Sequence, residues 1–234
     1  MGRERIFRFK QFTVTHERSA MKLGTDAVVL GAWCDVSVAR NALDVGTGCG
    51  VIALMLAQRN SMATVHAIDI DRDSATEAAL NFSRSPWSDR LYCQEADFNT
   101  WQGIYDLIVS NPPYFADGVP AALPARNRAR HTRSLNLQQL IGHSRHLLTP
   151  EGRLALIVPN DTANFIAELA AFHSLHIARL CEVFPVEGQP AKRLLCELTV
   201  APATLTRERL TIANADGHYT PRYQDLCSDF YLNM

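Results

Sequence analysis

From residue 41 onward, short apolar runs alternate with stretches of helical period. NALDVG, TVHAIDI, LYCQEA, YDLIVSN and RLALIVP are short and dominated by apolar residues, as strands covered on both sheet faces must be. Between them, VIALMLAQR, RDSATEAALNF, LQQLIGHSRHLL and NFIAELAAF repeat their apolar residues at helical spacing. The alternation predicts an α/β fold, a doubly wound, mostly parallel sheet with helices on both faces. HSLHIARLCEVF and RLLCELTVA, joined only by the loop PVEGQPAK, predict an antiparallel hairpin at one edge. Towards the ends, FRFKQFTVTH alternates like a strand, SAMKLGTDAVVLGAW leads into a short helix, and ERLTIA reads as another strand. YTPRYQDLCSDFY predicts a final helix, with Thr220 as N-cap and Pro221 at its first position. One domain over residues 1–234 is expected: an extension (1–40), a core (41–200) and a closing strand and helix (201–234).

Composition narrows the function less than the distribution of charge does. No apolar run reaches the roughly 18 residues of a membrane span, and the opening MGRERIFRFK is too charged for a secretory signal. A cytoplasmic protein with no membrane partner is the expectation. The six cysteines, at 34, 49, 93, 181, 196 and 227, form no CxxC pair and have no histidine at metal spacing. Buried reduced thiols, and no metal, are expected. The formal net charge of −1 hides a segregation. Between Asp117 and Glu151 stand Arg126, Arg128, Arg130, Arg133 and Arg145 with His131, His143 and His146, and no acid at all. Such a stretch suits the phosphates of a nucleic acid, with the histidines at the surface or facing RNA.

Candidate chemistry begins at LDVGTGCGVIAL, where Gly46, Gly48 and Gly50 separate a strand from a helix. Glycines there allow a tight turn and a close approach of ligand to the helix N-terminus. The spacing is not that of a dinucleotide site, and Asp44 would repel a pyrophosphate, so a cationic or zwitterionic ligand fits better. Asp69, closing the second strand, can accept both hydroxyls of a ribose. Asp71 reads as the cap of the next helix. Asp97 can accept from an adenine amino group while Phe98 packs on the ring; the alternative is that Asp97 caps a turn.

The most specific feature is SNPPYF, in which a strand ends on Asn111, Pro112, Pro113 and Tyr114. In a doubly wound sheet this end faces the ligand crevice. The prolines fix φ and donate no N–H, leaving the Asn111 and Pro112 carbonyl groups as rigid acceptors. A planar amino group, as in adenine, cytosine or a carboxamide, offers two N–H donors to such a rack, and Tyr114 offers a stacking face. Holding both protons favours the pyramidal nitrogen whose lone pair can attack a methyl group directly.

DVGTGCG, the acidic end of the second strand, AD after the third and NPPY after the fourth resemble the class I S-adenosylmethionine-dependent methyltransferases over about residues 40 to 200. The resemblance implies a seven-stranded Rossmann-like sheet and S-adenosylmethionine as cofactor. It implies that Asp44 and the loop 46–50 hold the methionine part, Asp69 and Ile70 the ribose region, Asp97 and Phe98 the adenine, with Asn111 beside the reacting methyl. QFTVTHERSAMKLGTDAVVLGAW, ARHT at 129–132, GQPAKR at 188–193 and YTPRYQDLCSDFYLNM together resemble the bacterial tRNA (adenine-N6)-methyltransferases that modify adenine 37, next to the anticodon of a valine tRNA. That picture puts the stretch from Met21 to Asp26, with Lys22 and Thr25, over the cofactor. It turns Arg126, Arg128, Arg130, His131, Arg133, Lys192 and Arg193 to RNA, with tRNA as partner and a monomer as the working unit. Adenine-N6 methylation of ribosomal RNA or DNA, and glutamine-N5 methylation of a protein, are the alternatives that share NPPY.

Overall fold

The structure is a computed structural model and describes residues 6–19, 22–113 and 136–234. The strands are β1 (Ile6–Arg8), β2 (Thr13–Thr15), β3 (Asn41–Val45), β4 (Thr64–Asp69), β5 (Leu91–Glu95), β6 (Tyr105–Ser110), β7 (Leu148–Pro159), β8 (His176–Val186), β9 (Arg193–Thr199) and β10 (Thr206–Ala213). The described α-helices are α1 (Thr25–Trp33), α2 (Val51–Arg59), α3 (Arg72–Ser83), α4 (Leu137–Leu147), α5 (Ala163–Phe172) and α6 (Pro221–Cys227).

Strand residues alternate between two cores, which is what a sheet covered on both faces requires. Leu43, Ile108, Leu154 and Leu156 pack with Leu140 and Ile141 of α4 and Ile166 of α5. Ala42, Leu107, Val109, Ala155 and Ile157 pack with α1, α2, α6 and the β1–β2 hairpin on the other side. Local capping agrees with the pattern: Asp71 accepts from the Ser74 N–H at 2.9 Å to start α3. Asn136 and Gln139 form a reciprocal capping box on α4, and Thr220 with Pro221 opens α6.

The sheet order is β10-β8-β9-β7-β6-β3-β4-β5. β3 to β9 are the seven expected strands, and β8 and β9 pair antiparallel as the hairpin did in sequence. The hairpin is not the edge, however. β10 runs parallel along β8 and adds an eighth, outermost strand. It is fastened there by Arg179 to Glu208 at 3.1 Å and Arg222 to Glu208 at 2.8 Å. FRFKQFTVTH is two short strands rather than one, because the chain turns between Phe9 and Phe12 and pairs with itself.

All six cysteines are free thiols; burial pushes each up to about 12, so they pack as apolar groups. Among the described residues no group of three metal-ligating side chains occurs, and no helix is long and apolar enough to cross a membrane.

Candidate active site at the carboxyl ends of the strands

β3 has β4 on one side and β6 on the other, so the strand order switches beside it and a crevice opens beyond its carboxyl end. The registers set Val45 opposite both Ile68 and Ser110, and Asp69 opposite Glu95. Gly46, Asp69 and Asn111 therefore leave the sheet side by side. Cross-links hold this row: the Gly46 and Thr47 N–H groups donate to the Ile68 carbonyl at 2.9 and 3.0 Å, and Ser110 Oγ donates to the Val45 carbonyl at 2.8 Å. Asn111 stands half-buried at the end of β6, followed by a buried Pro112.

The three glycines are not equivalent. All have positive φ, +70° at Gly46, +56° at Gly48 and +84° at Gly50. A Cβ at 46 or 48 would meet nothing within 4 Å, whereas one at 50 would lie 2.5 Å from Phe82 Cε1. The first two face open space where a ligand can come close; the third is required by packing against α3. Gly50→Ala is accordingly expected to lower folding stability by about 2–4 kcal/mol, from left-handed strain plus overpacking. A denaturant midpoint shift measures it.

Behind the loop, Asp44 is 0% exposed. Its Oδ2 accepts from Thr47 Oγ1 at 2.6 Å and from the Ala53 N–H at 3.2 Å, while its buried Oδ1 has no hydrogen-bond partner. Burial lifts this carboxyl to about 7, against those two hydrogen bonds and with repulsion from Asp69 adding to the rise. Asp44, expected with the loop 46–50 to hold the methionine part, stands buried directly behind that loop and is tied to it through Thr47. A buried carboxyl that ionises near neutrality behind an open glycine loop fits a cationic ligand in front. Asp69 lies further forward, its Oδ2 accepting from the Gly48 N–H and its Oδ1 from the Asp71 N–H, both at 2.9 Å. Burial raises its carboxyl as well.

Comparison with known proteins fits this geometry. The methyltransferase small domain family model matches residues 19–178. A tRNA1(Val) (adenine(37)-N6)-methyltransferase of Aeromonas hydrophila is 43% identical over 236 residues, covering 100% of both chains. One of Trichodesmium erythraeum is 44% identical over 232 residues, 97% of each chain. The chain belongs to the tRNA1(Val) (adenine(37)-N6)-methyltransferase family.

Solved structures agree in fold. A predicted O-methyltransferase from Agrobacterium tumefaciens superposes with a TM-score of 0.68 at 20% identity, covering 88% of this chain and 96% of its own. Magnesium protoporphyrin IX methyltransferase of Synechocystis, with bound S-adenosylmethionine, gives 0.52 at 19% identity, covering 75% and 77%.

For a member of the tRNA1(Val) (adenine(37)-N6)-methyltransferase family, several residues stand differently from the sequence expectation. Asp97 is exposed and its Oδ1 caps the 3-10 turn Phe98–Thr100 through the Asn99 N–H at 2.9 Å, the alternative role named for it. Phe98 is 4% exposed and packs edge-on to His143, with ring centroids 5.0 Å apart. It supports the turn from within the core and offers no face to an adenine. The apolar surface beside Asp69 is instead Ile70, 47% exposed.

Arg193, expected on RNA, donates from Nε to Asp26 Oδ2 at 2.7 Å, so two residues assigned to different ligands form one ion pair. Lys192 is exposed next to it, and Thr25 is exposed at the start of α1. Lys22 Nζ donates to the Glu17 carbonyl at 2.9 Å and closes the preceding loop on itself. His143 Nε2 donates to the Trp101 carbonyl at 2.9 Å and is a packing residue, not an RNA-facing one; His146 is exposed. Tyr114, Arg126, Arg128, Arg130, His131 and Arg133 lie outside the described residues. A groove of about 580 Å³ between the β1–β2 hairpin and the end of α3, lined by Phe9, Lys10, Phe12 and Arg84 among others, contains none of the assigned site residues.

Two buried polar residues of α3 went unnoticed in the sequence. Glu77 accepts from the backbone N–H groups of Glu17, Arg18 and Ser19 at 2.7, 2.8 and 2.9 Å. Asn81 donates to the carbonyls of Thr15 and Cys49, both at 2.8 Å. The available signal was their position: with Ser74 they lie at i, i+3 and i+7 on the face of α3 where Ala78 and Phe82 are core.

Proposed function

We propose that the protein transfers a methyl group from S-adenosylmethionine to the N6 amino group of an adenine in tRNA, adenine 37 next to the anticodon of a valine tRNA. The observation that carries this reading is the placement of Asn111 and Pro112 at the end of β6, beside the open glycine loop and Asp69. Relatives aligned over 97% and 100% of the chain under one tRNA methyltransferase name support the substrate.

S-adenosylmethionine, when bound, supplies a methyl group on a sulfonium. The glycine loop offers its backbone at Gly46 and Gly48, Asp69 accepts the ribose hydroxyls, Ile70 offers an apolar surface beside it, and Asp44 supplies a buried countercharge. The Asn111 side-chain oxygen and the Pro112 carbonyl accept the two N6 protons of the adenine and orient its nitrogen lone pair. Tyr114 stacks on the base. No base is needed before attack, since the amino proton becomes acidic only after nitrogen carries the methyl.

A loop adenine must leave its stack to reach this crevice, and an unpaired base costs least to extrude. The test is a pair of transcripts, the unmodified valine tRNA and the same tRNA with guanine at position 37; methyl transfer is expected to the first and not the second. Equal transfer to both places the reaction at another nucleotide. In the same reading Arg126 to Arg133 contact phosphates. Replacing Arg128 and Arg130 with alanine should weaken tRNA binding roughly uniformly across sequences and reduce the slope of log affinity against log salt by about 2. An unchanged slope removes the segment from the interface.

A further inference from the structure

We infer that Glu77 and Asn81 are positioning residues for the cofactor, holding the N-terminal segment and the glycine loop in one register from a single helix face. The inference rests on the function proposed above and adds residues to it that touch no substrate atom.

The geometry is specific. Three successive backbone N–H groups, at residues 17, 18 and 19, converge on the two oxygens of Glu77. That is the concave arrangement of amides that binds an anion, here filled by the protein's own carboxylate. Burial opposes the charge, yet these N–H groups hold the Glu77 carboxyl below its ordinary range. On the other side of the same loop, Lys22 Nζ lies 3.3 Å from the His16 carbonyl and 2.9 Å from that of Glu17. The loop's donors and acceptors are thus each gathered by one side chain.

Asn81, one helical turn on, has every polar atom engaged: Oδ1 accepts from the Thr15 N–H at 3.0 Å, and Nδ2 donates to the Thr15 and Cys49 carbonyls. Cys49 lies between Gly48 and Gly50, so its carbonyl reports directly on the shape of the loop. At the other end of α3, the N-cap Asp71 donates its N–H to Asp69. One rigid helix therefore sets the distance between the Asp69 carboxylate, the glycine loop and residues 15–19. A buried polar stripe costs stability unless each group is paired, and here the pairs run to the backbone of residues 15–19 and to the Cys49 carbonyl of the glycine loop.

The test uses the full-length protein with Glu77→Gln, Glu77→Asp and Asn81→Ser, and S-adenosylhomocysteine as the binding probe in calorimetry. Glu77→Gln sets an amide N–H against a backbone N–H and should raise the probe's Kd about tenfold or more. Glu77→Asp should recover part of that loss. In methyl transfer the KM for S-adenosylmethionine should rise similarly, with kcat at saturating cofactor within about twofold and the KM for tRNA unchanged. Variants that lose thermal stability but bind the probe like the wild type overturn the inference. If the wild type itself does not bind the probe, the cofactor reading fails first, a separable outcome. Should the variants not fold, hydrogen exchange on the wild type decides: the Glu17, Arg18 and Ser19 amides should exchange at least tenfold more slowly with the probe bound, and unchanged rates contradict a coupled role.

Discussion

Asn111→Ala is expected to lower kcat for methyl transfer on the order of 10³-fold while leaving the affinity for S-adenosylhomocysteine within about threefold. The side chain stands at the carboxyl end of β6, next to the strand that leads into the glycine loop. Its neighbour Ser110 is pinned to Val45 at 2.8 Å, and the ring of buried Pro112 stiffens the backbone on its other side. Removing the amide oxygen leaves that frame intact but takes away one of two acceptors for the amino protons. The nitrogen then keeps its lone pair in the ring system, and the barrier rises although the cofactor still binds. Isothermal binding of S-adenosylhomocysteine and single-turnover rates measure the two effects separately. A variant that loses cofactor binding in proportion to rate would reassign Asn111 from the amino group to the cofactor.

The second large effect belongs to Asp44, and its sign depends on pH. Burial raises the carboxyl from 3.8 to about 7 in the ligand-free protein. A raised folded-state value means that the native state favours the protonated form. The contribution of this group to folding stability is complete below about 3.8 and is lost as pH rises through about 7. A cationic ligand in front of the loop favours the ionised form, so binding releases a proton wherever Asp44 begins protonated. Affinity for S-adenosylmethionine should therefore fall as pH drops below about 7, by up to roughly tenfold per pH unit. Asp44→Asn cannot ionise. Its ligand-free form should melt at a higher temperature than the wild type at pH 8, while cofactor affinity there falls on the order of 10- to 100-fold and becomes flat with pH. Calorimetry from pH 5.5 to 8.5 tests this, and a pH-dependent affinity surviving in Asp44→Asn points to Asp69 instead.

The parallel core was readable because its strands are apolar on consecutive positions and its helices are punctuated by caps. Asp71, Thr220 and Pro221 act where the pattern put them. The hairpin of β8 and β9 was readable from its short loop, but its place in the sheet was not. Whether β10 covers β8 depends on long-range pairs such as Arg179 with Glu208, which leave no local periodicity. At the site, the glycine spacing names an element by type, because the backbone takes positive φ at all three positions. Side-chain direction is a different matter. Phe98 follows Asp97 in a turn that could expose either ring face, and only the packing against His143 shows that it points inward. Arg193 reads as a free cation until β9 brings it to Asp26. Glu77 and Asn81 read as ordinary polar positions in a helix, because the groups that they bind are backbone atoms 32 to 66 residues away along the chain.

The central claim is that the acceptor is the N6 of a single adenine in tRNA. Unmodified bulk tRNA incubated with the protein and S-adenosylmethionine labelled in its methyl group, then digested and analysed by mass spectrometry, tests it most directly. The expected result is label recovered only as N6-methyladenosine within one anticodon-loop fragment, with none when Asn111→Ala replaces the wild type. Label absent from tRNA but present on ribosomal RNA adenine or on a protein glutamine would contradict it, keeping the amino-group chemistry and replacing the substrate.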